Sequence, residues 1–311
     1  KKLLDRGVPL LRIGNPTRVN DKMLSFTYER RFENHPAYTE LWSVRKSIRE
    51  ISGHIRKGNY SERESMRNRI SRLRDRATEL EILINEDLFS SARVIASTLV
   101  SSNHRILEGR RFSTLFIDEA AQALEAACWI AIRKADRVIF AGDHCQLPPT
   151  IKCIEAARGG LDQTLMEKVV TNKPVSVSLL KVQYRMNEAI MRFPSEWFYN
   201  NQLESAPEVR HRGILDYDTP MVWIDTSELE FHEEFVGESF GRINKPEADL
   251  LIQELKNYIQ RIGENRVFDE RIDFGLISPY KAQVQYLRNK IKSSSFFRPF
   301  RELITINTVD G

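Results

Sequence analysis

The run Thr114-Leu-Phe-Ile-Asp118-Glu119 limits the fold of this chain more than any other segment. A short strand with almost no polar interruption suits a parallel sheet covered on both faces. Two acids directly after it put carboxylates at the C-terminal edge of that sheet, where open α/β sheets bind ligands. Val94–Thr98 and Val138–Ala141 are runs of the same kind. Beyond about Thr171 the pattern resumes, with strands expected at Ser178–Val182, Met221–Asp225, Phe274–Ser278 and Leu303–Val309. Amphipathic helices are expected at Glu188–Tyr199, Pro246–Arg261 and Tyr280–Lys292. Asn244-Lys-Pro246-Glu247 supplies an N-cap residue, an early proline and a reaching glutamate for the second of these. The expected class is α/β, with two parallel sheets in series.

One segment breaks the alternation. Between residues 38 and 87, Leu41, Val44, Ile48, Ile51 and Ile55 recur at steps of three and four. So do Met66, Ile70, Leu73, Ala77, Leu80 and Ile84. Lys57-Gly58-Asn59 reads as a stop between them, and Ser61-x-x-Glu64 as a capping box that starts the second run. Two narrow apolar stripes joined by a turn predict an antiparallel helical hairpin inserted in the first α/β unit.

Composition closes off several function classes. With 41% hydrophobic and 29% charged residues over 311 positions, two cores are affordable. No stretch approaches the roughly 20 apolar residues of a membrane span, the nearest being Ala126–Ile132, so no membrane partner is expected. Three cysteines without a CxxC pair point to a reducing, cytoplasmic setting rather than a disulfide scaffold. The histidines offer no HExxH, and His144-Cys145 alone does not make a metal pair. A net charge of +4 is compatible with a nucleic-acid partner without requiring one.

Three sets of residues carry chemistry. Asp118 can hold Mg²⁺ through water and Glu119 can orient or deprotonate an attacking water, unless the pair only caps the next helix. Ala141-Gly142-Asp143-His-Cys-Gln146-Leu-Pro-Pro brings a second strand end to the same edge. There Gln146 could sense a terminal phosphate, if this is more than an ordinary strand-to-helix loop. Leu180-Lys-Val-Gln183-Tyr184-Arg185-Met-Asn187 opens the second half, with an arginine suited to stabilising charge on a transferring phosphoryl group. Its alternative is an arginine paired with an acid.

Those three motifs in that order resemble motifs II, III and IV of the superfamily 1 helicases. The Gln-Tyr-Arg-Met form resembles the 5′-to-3′ branch of nonsense-mediated-decay helicases and immunoglobulin-mu-binding proteins. Phe193-Pro-Ser-x-x-Phe198-Tyr199, Ser278-Pro279-Tyr280-x-x-Gln283 and Thr308-Val-Asp-Gly311 extend the likeness to almost the whole chain. The resemblance implies two RecA-like domains, about 1–168 with the hairpin 38–87 inserted, and 169–311. It implies ATP and Mg²⁺ in a cleft between them. Asp118 would bind the metal through water, Glu119 would act on water, Gln146 would sense the γ-phosphate and Arg185 would stabilise the transition state. Gly142, Asp143, Gln183 and Tyr184 would lie against the nucleotide. Thr98, Ser278, Pro279, Tyr280, Gln283 and Thr308 would follow a single or duplex nucleic-acid strand. Without the resemblance, Tyr280 reads as a core residue at a helix start, and Trp197, Phe198 and Tyr199 read as helix-packing aromatics.

The sequence contains no G-x-x-x-x-G-K-[ST], and it ends inside motif V. The expectation is a fragment cut at both ends, inactive by itself, from an ATP-driven helicase or translocase. The rival expectation is a non-catalytic binding or regulatory module on the same fold. Six arginines between Ser61 and Arg76 would attract phosphates, although a solvated helix with local ion pairs explains them at least as well.

Overall fold

A computed structural model describes residues 2–19, 21–54, 60–216, 218–237 and 241–309. The chain divides into two compact units, Lys1–Ser178 and Leu179–Gly311. In the first, β1 (Leu10–Ile13) leads to helices α1 (Tyr38–His54) and α2 (Tyr60–Ser91), then β2 (Val94–Ser97) and β3 (Phe112–Ile117). Helix α3 (Glu125–Ile132), β4 (Ala135–Phe140) and α4 (Leu165–Asn172) complete it. β1 pairs with β2 and β3 with β4, both in parallel.

The hairpin forms along the stripes its spacing predicts. Leu41 and Val44 of α1 are buried, and so are Ile70, Ala77, Leu80 and Ile84 of α2. With five residues between them, the helices must run antiparallel, and His35 just before α1 lies 3.2 Å from Asp87 near the end of α2. Arg45–Glu81 at 2.7 Å and Arg76–Glu40 at 2.8 Å link their exposed flanks. Such surface pairs are worth about 0.2–1 kcal/mol each, so the apolar seam decides the packing. That seam continues into Leu11, Ile13, Leu88 and Leu107, which roots the hairpin in the α/β core. Two details differ from expectation. Helix α2 already contains Tyr60 and Ser61, so Ser61 is not its cap. The expected turn at Gly58-Asn59 lies outside the described residues.

In the second unit, β5 (Val182–Gln183), α5 (Glu188–Phe198) and β6 (Glu204–Ser205) come first. The antiparallel pair β7 (Glu234–Val236) and β8 (Gly241–Ile243) follows. Then come α6 (Lys245–Ile262), α7 (Glu264–Asp269), β9 (Phe274–Ser278), α8 (Lys281–Ser293) and β10 (Ile304–Thr308). β9 and β10 are parallel in full register over five residues. Leu276 and Ile306 face a core completed by Ile259, Leu287, Phe297 and Phe300.

The strands of both units are thus present as two-stranded sheets among the described residues. Expected strands at 178–181 and Met221–Asp225 do not form. Register explains the first: residues 178–181 would have to pair with 200–203, where Asn200 and Asn201 turn with positive φ, so β5 finds only two ladder positions. The second has the right hydropathy and no ladder partner among the described residues; Trp223 is left 83% exposed. The expected cover on both faces fails for β3, where Phe116 is 69% exposed. Trp197 and Phe198 are corrected as well. Helix α5 buries Met191 and Ser195, which turns Trp197 (70% exposed) to the other face, where its ring lies 5.7 Å from that of Phe193.

Candidate functional site

The parallel register that pairs Ile117 with Phe140 brings two chain reversals to one edge. Ala141 donates its N–H to Ile117 at 2.8 Å and accepts from Ala120 at 3.0 Å. Asp118 and Glu119 therefore leave β3 beside Ala141-Gly142-Asp143 leaving β4. Both carboxylates are exposed, and one oxygen of Asp118 accepts the Glu119 N–H at 3.2 Å. Glu119 holds a left-handed backbone (φ 51°), unusual for a residue with a side chain. Gly142 permits the approach: a Cβ there would stand 2.9 Å from the Ala120 nitrogen. Asp143 organises the loop, accepting from Cys145 N–H at 3.1 Å and from the Gln146 side-chain amide at 2.7 Å. An exposed cluster of hard carboxylate oxygens matches the ligand preference of Mg²⁺. The phosphate-cradling loop that a nucleotide also needs is not among these residues.

In the second unit, Gln183 is placed by its pairing with Ser205. Its amide nitrogen donates to Met186 O and Ser205 Oγ, both at 2.7 Å. Its amide oxygen accepts from Arg185 N–H at 2.8 Å and Met186 N–H at 2.7 Å. Asn187 then caps α5 by accepting from Ala189 N–H at 2.8 Å. The turn carrying Tyr184 and Arg185 is thereby fixed from within, while Tyr184 and Arg185 are both exposed.

A third edge lies at the ends of β9 and β10, where register sets Ser278 beside Thr308. Ser278 is buried, and Pro279 and Tyr280 follow it into α8. Gln283, also buried, accepts from the Asn244 N–H at 3.0 Å and donates to its carbonyl at 2.9 Å. A cavity of about 510 Å³ opens here, lined by Arg242, Asn244, Ser278, Tyr280 and Gln283 among others. Arg242 is the residue that sequence reasoning missed. Its guanidinium lies 5.6 Å from the Tyr280 ring centre and 2.7 Å from Glu233; its position two residues before the Asn244 cap was the available signal. Thr98 occupies a fourth position, at the end of β2, accepting from Ser101 N–H at 3.1 Å and donating to Ser101 Oγ at 2.8 Å. The structure thus groups Asp118, Glu119, Gly142, Asp143 and Gln146 in the first unit. It groups Gln183, Tyr184 and Arg185, and separately Ser278, Pro279, Tyr280, Gln283 and Thr308, in the second.

Parallel α/β pairs with acids at one strand edge and a braced arginine after another define a chain of two RecA-like domains. Two family models, each described as an AAA domain, match residues 1–153 and 161–311. An ATP-dependent helicase of Methanocaldococcus jannaschii is 29% identical over 97% of the chain and 50% of its own length. DNA-binding protein SMUBP-2 of Mesocricetus auratus is 31% identical over 97% of the chain and 31% of its own length. A regulator of nonsense transcripts 1 homolog of Arabidopsis thaliana is 33% identical over 76% of the chain and 18% of its own length. The chain belongs to the superfamily 1 helicases, in the group that holds the nonsense-decay and immunoglobulin-mu-binding proteins. It spans half or less of the length of these relatives. No described helix is long and apolar enough to cross a membrane.

Proposed function

We propose that this chain is the motor portion of an ATP-driven nucleic-acid helicase or translocase. The observation that carries the reading is the β3–β4 register, which puts Asp118 and Glu119 on one strand edge with Gly142, Asp143 and Gln146. In this proposal Asp118 holds Mg²⁺ through water, Glu119 orients or deprotonates the attacking water, and Gln146 senses the γ-phosphate. Arg185, from the second domain, stabilises charge on the departing phosphoryl group. Gln183 positions Arg185, because its amide already makes four internal hydrogen bonds. Tyr184 is free of such duties and offers a ring to the adenine base.

We assign the two domains to the units Lys1–Ser178 and Leu179–Gly311, because a boundary at 168/169 would cut helix α4. Thr98, Ser278, Pro279, Tyr280 and Thr308 form the strand-contact set, since strand-end hydroxyls donate to phosphates and an aromatic ring stacks on bases. Gln283 serves that set by holding Asn244 beneath the cavity. Names of relatives such as the Methanocaldococcus jannaschii ATP-dependent helicase support the class. No observation favours the non-catalytic module.

The 311 residues by themselves are proposed to be inactive, because the amides and lysine that hold the β- and γ-phosphates are not among them. Two measurements test the whole reading. The full-length parent should hydrolyse ATP faster with a single strand present and lose turnover as Glu119→Gln. The isolated chain should show none; turnover by the isolated chain that Glu119→Gln abolishes would overturn the account of the missing loop.

A further inference from the structure

The loop after β4 holds two side chains to which the nucleotide reading gives no role, His144 and Cys145, beside Asp143. The carboxylate of Asp143, the imidazole of His144 and the thiol of Cys145 bring one oxygen, one nitrogen and one sulfur within 4.8 Å of one another. His144 is exposed, while Asp143 and Cys145 are half-buried. Zinc ligands sit about 2.0–2.3 Å from the ion, which separates tetrahedral donors by roughly 3.5 Å. Closing from 4.8 Å to that spacing takes shifts of up to about 1.3 Å between side chains of one loop.

The donor types matter more than their number. Thiolate and imidazole select zinc-like ions, whereas Mg²⁺ prefers oxygen alone. The Mg²⁺ assigned to Asp118 is therefore no competitor for this set. The backbone also prepares it. Asp143 accepts from Cys145 N–H at 3.1 Å, folding the loop back so that side chains of consecutive residues converge.

We propose that Asp143, His144 and Cys145 form a site for a zinc-class divalent cation. Binding displaces the Cys145 proton to solvent and leaves water in the remaining coordination position. The same ion draws on the Asp143 carboxylate, whose Oδ2 holds the Gln146 amide at 2.7 Å. An occupied site therefore competes with Gln146 for Asp143. The binding claim stands on the loop alone; the effect on turnover rests on the role proposed for Gln146.

Cobalt(II) titration of the 311-residue chain tests the site without any ATPase readout. A near-ultraviolet thiolate-to-cobalt absorption band should grow to one equivalent and be reversed by zinc but not by millimolar Mg²⁺. It should vanish in Cys145→Ser, persist in Cys153→Ser, and need at least tenfold more cobalt in His144→Ala. A band surviving Cys145→Ser, lost in Cys153→Ser or displaced by Mg²⁺ overturns the site, as does no band in a chain of normal circular dichroism. In the full-length parent, zinc should slow ATP hydrolysis in the wild type and not in Cys145→Ser. Cobalt binding with unaltered hydrolysis would keep the site and reject the Gln146 role.

Discussion

The side-chain carbonyl of Gln183 accepts the backbone N–H of Arg185 at 2.8 Å, so the residue two places earlier fixes the stretch that presents the arginine. Gln183→Ala would leave the Arg185 and Met186 amides without that acceptor. Misplacing a reacting group by an ångström costs up to about a hundredfold in rate. In the full-length parent, kcat should fall on the order of tenfold or more with KM for ATP within about twofold. A raised KM at constant kcat would instead make Gln183 a nucleotide contact.

Glu119 carries its carboxylate on a left-handed backbone, φ 51° and ψ 41°. For a residue with a Cβ that conformation costs about 1–2 kcal/mol, and glycine is largely spared the cost. Glu119→Gly should hold stability level or raise it by up to about 1 kcal/mol in urea unfolding, while turnover in the parent is lost. A clear loss of stability would show that the carboxylate, not the backbone, settles this turn.

Gly142→Ala should act in the opposite sense. The added methyl would meet backbone, 2.9 Å from Ala120 N and 3.1 Å from Ala121 N, with Met166 Sδ also at 3.1 Å. Overpacking of this kind costs about 1–3 kcal/mol. A urea midpoint equal to wild type would mean that the β3 and β4 edges separate freely.

Glu119→Gln and Arg185→Ala should part company on nucleotide response in the parent. The first keeps the shape of the acid and should still change its single-strand affinity when a non-hydrolysable ATP analogue binds, with hydrolysis down about 10²-fold or more. In the role proposed for Arg185, the second removes a charge worth roughly 10³–10⁵ in rate and with it the proposed contact to the γ-phosphate. Its strand affinity should ignore the analogue. Equal responses in the two variants would remove Arg185 from that role.

Tyr258 gives the second unit an alkaline limit. Burial and the Asp218 carboxylate that its hydroxyl meets push its pKa up to about 12 from 10.0. The unfolded chain loses this proton first as pH rises. The stabilising contribution is therefore intact below pH 10 and disappears between 10 and about 12. Denaturation of wild type and Tyr258→Phe across that window should show the steeper decline in wild type.

Spacing made the hairpin legible because burial along a helix is periodic in the chain itself: Leu41, Val44, Ile70, Ala77 and Ile84 are buried as their steps require. The β3 edge was legible for a similar reason, apolar residues followed at once by acids. Met221–Asp225 misled because hydropathy says what a segment would bury and not which strand will pair with it. The internal bonds of the Gln183 and Gln283 amides were not legible, for a different reason. Their partners, Ser205 and Asn244, lie 22 and 39 residues away, and one-dimensional patterns carry no such distances. Arg242 was overlooked because a single charge near a helix start has many uses until a ring is found beneath it.

At 1.5 Å per residue, the stretch of α2 from Leu88 back to Tyr60 is about 42 Å of continuous helix. Its root is held at Leu88 and Phe89, and Tyr60 at the far end is 83% exposed. Such a rod is a pointer. A tilt of about 5° at the root sweeps Tyr60 through about 4 Å. Small adjustments beside β2 are thereby written large at the other end, where a probe attached at Tyr60 could read them.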